Sequence, residues 1–303
     1  MAVRAGYDAR VSSAIILCAG FGSRLRPLTD ELPKPLVPVG DRSILEHALL
    51  SLHAAGISEL VINVHHLAEQ FARTLASLAL EVRVVVEAEI RGTAGGVAGA
   101  RAHLSSAPVL VWNGDILVAP PIDQLLVGCE PYSFCFGVAP RPLGEGTVGL
   151  GAQGQVVRLR GERFGTELSG GDYVGVLALG SGALATLPER GCLFGDAALP
   201  LLRAGGTVHS VAVTAPWTDA GDPRGLLAAN LDWLGARGLA SFQGQGAEVA
   251  PGVELRQALI GAGARVHGRG LFERCVVCPG ASAVAPLSDA IVAPSGRVIR
   301  AHV

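Results

Sequence analysis

The residues best suited to chemistry lie between Leu17 and Gly40, in the run LCAGFGSRLRPLTDELPKPLVPVG. Gly20 and Gly22 allow the backbone to approach a polyphosphate closely, with loop N–H groups aimed at its oxygens. Arg24 adds a planar, two-pronged phosphate donor, and Lys34 adds a compact point charge. Pro27, Pro33, Pro35 and Pro38 stiffen the path between them. Such a loop keeps its cations in place without an ordering cost on binding. Composition adds weight to Lys34. The chain has 24 lysines and arginines together, and Lys34 is the only lysine among them. Arginine serves wherever a generic positive charge suffices, so a retained ammonium marks a site where a guanidinium does not fit the task.

Two other phosphate-binding loops can be compared with this one. A dinucleotide-binding turn needs G-x-G-x-x-G, but Leu25 stands where the third glycine belongs, and no helix can run through the prolines that follow. A P-loop ends in Gly-Lys-Ser/Thr, which is absent. A proline-rich surface loop after a core strand is the bland alternative. The glycines, Arg24 and the lone lysine together favour the phosphate site.

The surrounding pattern supplies the scaffold. Ser13 to Cys18 (SAIILC) reads as a buried strand leading into the glycine loop. Asp41 to Gly56 reads as a helix, with Ser43 and Glu46 as a capping box and Ile44, Leu45, Ala48, Leu49 and Leu52 as its apolar face. Leu60–Val64 and Val82–Val86 read as further strands, with a helix from Ala68 to Leu78 between them. Thr93 is placed to cap a helix from about Gly95 to His103. Pro108–Trp112 reads as a fourth strand, stopped by Asn113-Gly114-Asp115. Alternating apolar strands and helices with short connections predict an α/β fold, a Rossmann-like, mostly parallel sheet covered on both faces. Ligands of such sheets sit beyond the carboxyl ends of the strands, where the Gly20 loop and Asp115 both fall.

From Ser133 to Leu179 short strands and glycines predict an antiparallel insertion around Thr147–Leu159 and Tyr173–Leu179. An apolar stretch, Val208–Val213, is followed by the polar turn WTDAGD and a helix from about Pro223 to Leu234. After Gly238 three similar strings appear: Val249-Ala-Pro-Gly-Val253, Ile260-Gly-Ala-Gly-Ala264 and Val277-Cys-Pro-Gly-Ala281. They suggest coils of a short left-handed β-helix-like domain. The domains expected are residues 1–238 and 239–303. Cys275 and Cys278 lack the second pair that a zinc site needs and read as packed thiols. His65-His66 reads as a helix entry.

Half of the residues are apolar, 17% are charged and the formal net charge is −2. That allows a large core and gives no basic field for nucleic acid. No apolar run approaches the roughly 18 residues of a membrane helix. Six scattered cysteines and no apolar leader between Met1 and Ser13 point to a reduced, cytoplasmic protein.

Residues 17–40 resemble the sugar-nucleotide pyrophosphorylase family, the sugar-1-phosphate nucleotidylyltransferases: G-x-G-[ST]-R-L-x-P followed by P-K-P-L-x-P-V. Gly20, Gly22, Ser23, Arg24, Leu25, Pro27, Lys34, Pro35 and Pro38 fall in register, and a weaker resemblance extends over about residues 13–235. The C-terminal coils resemble those of mannose-1-phosphate guanylyltransferases, and Leu45–Gly56 resembles N-acetylmuramate-1-phosphate uridylyltransferases. The resemblance implies formation of a nucleotide sugar and pyrophosphate from a nucleoside triphosphate and a sugar-1-phosphate. Mannose-1-phosphate with GTP comes first, and N-acetylmuramate-1-phosphate or another sugar with UTP second.

It further implies catalytic roles for Arg24 and Lys34, and Mg2+ on Asp115 and Asp219. Two protein carboxylates suit an ion that keeps waters and phosphate oxygens. Leu17, Ala19, Gly20, Gly22, Ser23, Gly92 and Thr93 are implied at the nucleotide, and Gly149 and Gly175 at the sugar. A homo-oligomer packed through the coils is consistent with the family. The glutamate that the family uses on sugar hydroxyls has no clear counterpart: the region reads Leu159-Arg160-Gly161-Glu162-Arg163, with Glu162 or Asp172 as substitutes. Base and sugar stay open, and a non-catalytic regulatory homologue is the alternative reading.

Overall fold

The computed structural model describes residues 13–104 and 108–301. A ten-stranded mixed sheet lies at its centre. Ser13–Leu17 runs between Glu59–Val64 and Val109–Asn113, parallel to both, and Val82–Val86 adds a parallel edge. Side-chain alternation explains the middle position of the first strand. Ala14 and Ile16 pack against Leu45, Leu49 and Leu52 of the helix Ile44–Ala54. Ile15 points the other way, onto Ala94 and Val97 of the helix Gly92–Ala100. A strand covered on both faces needs apolar residues at consecutive positions. Each large side chain buried there contributes about 1.5–3 kcal/mol. The edge strand has a neighbour on one side only, and Val86 is 67% exposed.

Helix Ile44–Ala54 carries the expected capping box: Glu46 N–H donates to Ser43 Oγ at 3.2 Å, and Ser43 N–H donates to Glu46 Oε2 at 2.7 Å. The next glycine-rich helix corrects the sequence reading. It begins at Gly92, so Thr93 lies inside its first turn and caps nothing. Thr93 Oγ1 instead accepts from Leu193 N–H at 2.9 Å, a long-range partner that outcompetes the local one.

Beyond Val109–Asn113 the sheet becomes antiparallel, through Ser169–Leu179 to Phe134–Arg141 and Val148–Leu150. The insertion continues through Val156–Leu159 to Glu162–Arg163. Val208–Ala212 runs parallel to Phe134–Arg141.

Residues 241–300 form β-helix-like coils. Ser241 lies beside Ala258 and Leu259 beside Val276, both parallel and both a step of 17 residues. Arg265–Val277 then pairs with Ser282–Val292. Cys275 and Cys278 are free thiols inside these coils, and burial pushes both up to about 12.

The coils share one core with the rest of the chain. Leu226, Leu227, Trp233 and Leu234 of the helix Pro223–Gly235 pack with Val276, Val277, Ile291 and Val292. The same helix reaches back to residues 38–40. Asn230 is fully buried; it accepts from Gly40 N–H at 2.9 Å and donates to Pro38 O at 3.2 Å. Gly40 has φ +67, and a methyl group there would fall under 3.0 Å from the Trp233 indole. Gly40→Ala is therefore expected to destabilise the fold by about 2–5 kcal/mol, overpacking adding to left-handed strain. Denaturant unfolding would measure it. Among the described residues no helix is long and apolar enough to cross a membrane.

Candidate active site

The glycine loop owes its path to local chemistry. Gly22 is left-handed at φ 63, and a Cβ there would crowd Thr29 Cγ2 at 2.8 Å. Thr29 Oγ1 donates to Gly22 O at 2.9 Å, closing the loop on itself. The prolines permit only short 3-10 turns, at Ser23–Leu25, Leu28–Asp30 and Lys34–Leu36. Leu25 and Leu28 are fully buried and anchor it, leaving Arg24 outside.

Backbone hydrogen bonds bring the two aspartates to this loop. Gly114 N–H donates to Leu17 O at 3.0 Å, setting Asp115 just past the end of Val109–Asn113. Trp217–Asp219 pairs antiparallel with Ile116–Val118, and Ala220 N–H donates to Asp115 O at 3.0 Å. Asp115 and Asp219 thus share one rim although 104 positions separate their numbers.

The side chains meet there. Lys34 Nζ pairs with an Asp115 carboxylate oxygen, its side chain 11% exposed. Arg24 lies 3.4 Å from Asp219 and 3.9 Å from Asp222, and is 58% exposed. Gly221 makes room for all of them: a Cβ there would sit under 3.0 Å from Arg24 Nη2, Asp219 Oδ1 and Lys34 Nζ. Asp219 Oδ1 is buried with no hydrogen-bond partner. A buried anionic oxygen left unpaired beside a second carboxylate is a donor set suited to a hard dication, so the residues fit magnesium.

A cavity opens beside this rim, lined by Leu17, Ala19, Gly20, Gly22, Lys34, Gly92, Thr93 and Asp115. Asn63 and Glu87 form part of the wall and carry no sequence motif. Asn63 Oδ1 accepts from Cys18 N–H at 2.9 Å, and its amide donates to Glu87 Oε1 at 2.6 Å. Glu87 Oε2 accepts from Arg91 N–H at 3.1 Å. The pair fastens the strand ends around the cavity. Burial, then the Asp115 charge, pushes the Cys18 thiol far up.

Of the expected site residues, Ser23, Arg24, Gly149, Gly175 and Asp219 do not line this cavity; Arg24 and Asp219 stand on the rim beside it. Gly175, at φ +78, packs on Ile116 next to Asp115. Gly149 faces the Glu167 carboxylate. Glu167 accepts from Arg158 Nε at 2.9 Å and Arg158 Nη2 at 3.0 Å, which holds its carboxyl below the usual carboxylate range. Glu162 and Asp172, the candidate sugar ligands, are instead engaged by Arg203 and Arg141. Burial first, and then the Asp115 charge, raises the Tyr173 phenol well above the ordinary value. Its ring packs on Phe136 and Phe194 at 5.5 and 4.7 Å. His65 and His66 bond to the carbonyls of Glu87 and Thr29 at 2.9 and 2.6 Å and cradle the Phe21 edge.

Residues 13–235 match the nucleotidyl transferase family. The N-acetylmuramate alpha-1-phosphate uridylyltransferase of Caulobacter vibrioides is 33% identical over 71% of this chain and 94% of its own length. The mannose-1-phosphate guanyltransferase of Aspergillus fumigatus is 29% identical over 71% of this chain, and the match spans 62% of that enzyme's length. HddC from Yersinia pseudotuberculosis, solved also in complex with GMP-PN, shares the fold with a TM-score of 0.62 at 18% identity, over 73% of this chain and 99% of that chain. The loop, the paired aspartates and these matches together show that the chain belongs to the sugar-1-phosphate nucleotidyltransferase family.

Proposed function

We propose that the chain joins a nucleoside triphosphate to a sugar-1-phosphate, releasing pyrophosphate. The observation that carries this reading is the convergence of Arg24, Lys34 and Asp219 on the space left by Gly221, with Asp115 paired to Lys34. A phosphate oxygen of the sugar-1-phosphate attacks the α-phosphorus in line, and the bond to the leaving pyrophosphate breaks. Positioning and charge neutralisation carry such a step without a protein nucleophile. Arg24 grips the β- and γ-phosphates and stabilises the leaving group. Lys34 bridges the α-phosphate and the sugar phosphate. Asp115 and Asp219 would hold magnesium, which when bound would supply charge neutralisation for the reacting phosphates.

Mannose-1-phosphate with GTP is the leading substrate pair, supported by the guanyltransferase relatives. N-acetylmuramate-1-phosphate with UTP is the second, favoured by the Caulobacter relative, which is matched over 94% of its length. A non-catalytic role is disfavoured by the presence of all four charged groups on one rim. The test is pyrophosphate release across a matrix of nucleoside triphosphates and sugar-1-phosphates. Asp115→Ala is expected to lose about 100- to 1000-fold in turnover, as for loss of one preorganised charge contact. Near-wild-type release by that variant would overturn the assignment.

A further inference from the structure

The C-terminal coils lie outside the family match, which ends at residue 235, so the proposed reaction alone does not explain them. We propose that they position the phosphate loop, through a latch between Glu31 and Ser295. Ser295 N–H donates to Glu31 Oε2 at 2.8 Å, and Ser295 Oγ donates to Glu31 Oε1 at 2.6 Å. Both carboxylate oxygens are therefore engaged by one residue, a two-point contact that fixes orientation as well as distance.

Ser295 sits in the tight turn between Ser282–Val292 and Val298–Arg300. That turn is closed by Gly296 N–H to Ala293 O at 2.8 Å and Ala293 N–H to Arg297 O at 2.9 Å. Glu31 lies within the loop, between Arg24 and Lys34. Beneath the latch, Leu25 and Leu28 share a core with Cys278, Ile291 and Val292 of the coils. From the other side, Gln70 Nε2 donates to Glu31 O at 3.0 Å and His66 bonds Thr29 O at 2.6 Å. The loop is thus gripped between the coils and residues 66–70, at the start of the helix Glu69–Ala76.

This matters because Arg24 has little of its own to hold it. Its contacts to Asp219 and Asp222 are long, at 3.4 and 3.9 Å, and more than half its side chain is exposed. The point from which it reaches is set by the backbone, and hence by whatever fixes residues 25–31. A displacement of about 1 Å at Arg24 is enough to weaken its grip on the triphosphate by about tenfold or more. Glu31 is accordingly a positioning residue, acting through Arg24. This kinetic consequence rests on the nucleotidyl-transfer reading; the latch itself does not.

The experiment has two arms on the full chain, with wild type, Glu31→Ala, Ser295→Ala and Ser295→Thr. In the first, hydrogen exchange of the amides of residues 22–36 is followed without substrate. Faster exchange in both alanine variants, with the amides of residues 258–292 unchanged and Ser295→Thr behaving as wild type, is the expected result. Unchanged exchange of the loop in both alanine variants overturns the latch. In the second, steady-state kinetics with GTP and with UTP should show the KM for the triphosphate raised about tenfold in Glu31→Ala, in line with loss of a charge-assisted contact. The KM for the sugar phosphate should stay within about twofold. Equal rises in both constants would mean general loosening and overturn the positioning role. Wild-type protein that releases no pyrophosphate would instead sink the reaction, while the exchange arm still decides on the latch.

Discussion

Lys34→Arg is expected to lose about 100- to 1000-fold in kcat/KM while remaining folded. The change preserves charge, so the expected loss isolates shape. Lys34 is 11% exposed and its ammonium pairs with Asp115. The Gly221 backbone lies close against Nζ, so that even one added methyl there would fall under 3.0 Å from it. An ammonium is a compact charge with three rotatable donors; a guanidinium is a wide, flat fork. The fork cannot enter the same space without displacing Asp219 or the Gly221 backbone. Lys34→Ala should lose at least as much, because Asp115 is then left without its cation. A Lys34→Arg variant retaining more than about a tenth of wild-type kcat/KM would show that charge alone suffices and that the phosphate bridge is misassigned. Pyrophosphate release at saturating and at limiting triphosphate would separate binding from turnover.

Gly221→Ala is the second variant with a large expected effect. The substitution adds a single methyl group and no charge. Helix entry at Pro223 and the Asp222 cap, which accepts from Gly225 N–H at 2.8 Å, stay in place. The methyl group would nevertheless fall under 3.0 Å from Arg24 Nη2, Asp219 Oδ1 and Lys34 Nζ together. Arg24 is a long exposed side chain and can swing aside; Lys34 is held by its pairing with Asp115. The expected outcome is a fall of about 100-fold or more in kcat, since a misplacement near 1 Å acts on several groups at once. The unfolding midpoint should shift little. Loss of fold rather than of turnover, read by circular dichroism, would contradict this account.

The elements were legible because short-range physics writes them. The capping box at Ser43 and Glu46, the apolar run Ser13–Leu17 and the helix ending near Gly235 all follow from residues within a few positions of one another. Thr93 was misread for the same reason. Its side chain answers to Leu193, 100 positions away, and a local rule contains no such partner. Glu162 and Asp172 are a similar case. Each is a carboxylate near the insertion, but Arg203 and Arg141 already engage them. Asn63 and Glu87 carried no signal, because a buried amide–carboxylate pair, one in a strand and one just past another, forms no motif until the sheet brings them together.

The sequence by itself determined the chemistry on offer: a glycine loop with one guanidinium, the sole lysine, and two aspartates at strand ends. It also determined the α/β alternation and the β-helix-like tail. Only the tertiary structure decided that Arg24 and Asp219, 195 positions apart, face one another, that Gly221 is the gap between the charges, and that Ser295 reaches Glu31. The physical reason is that periodicity and capping act over a few residues. Convergence depends on sheet order and core packing, which join segments with no local trace of each other.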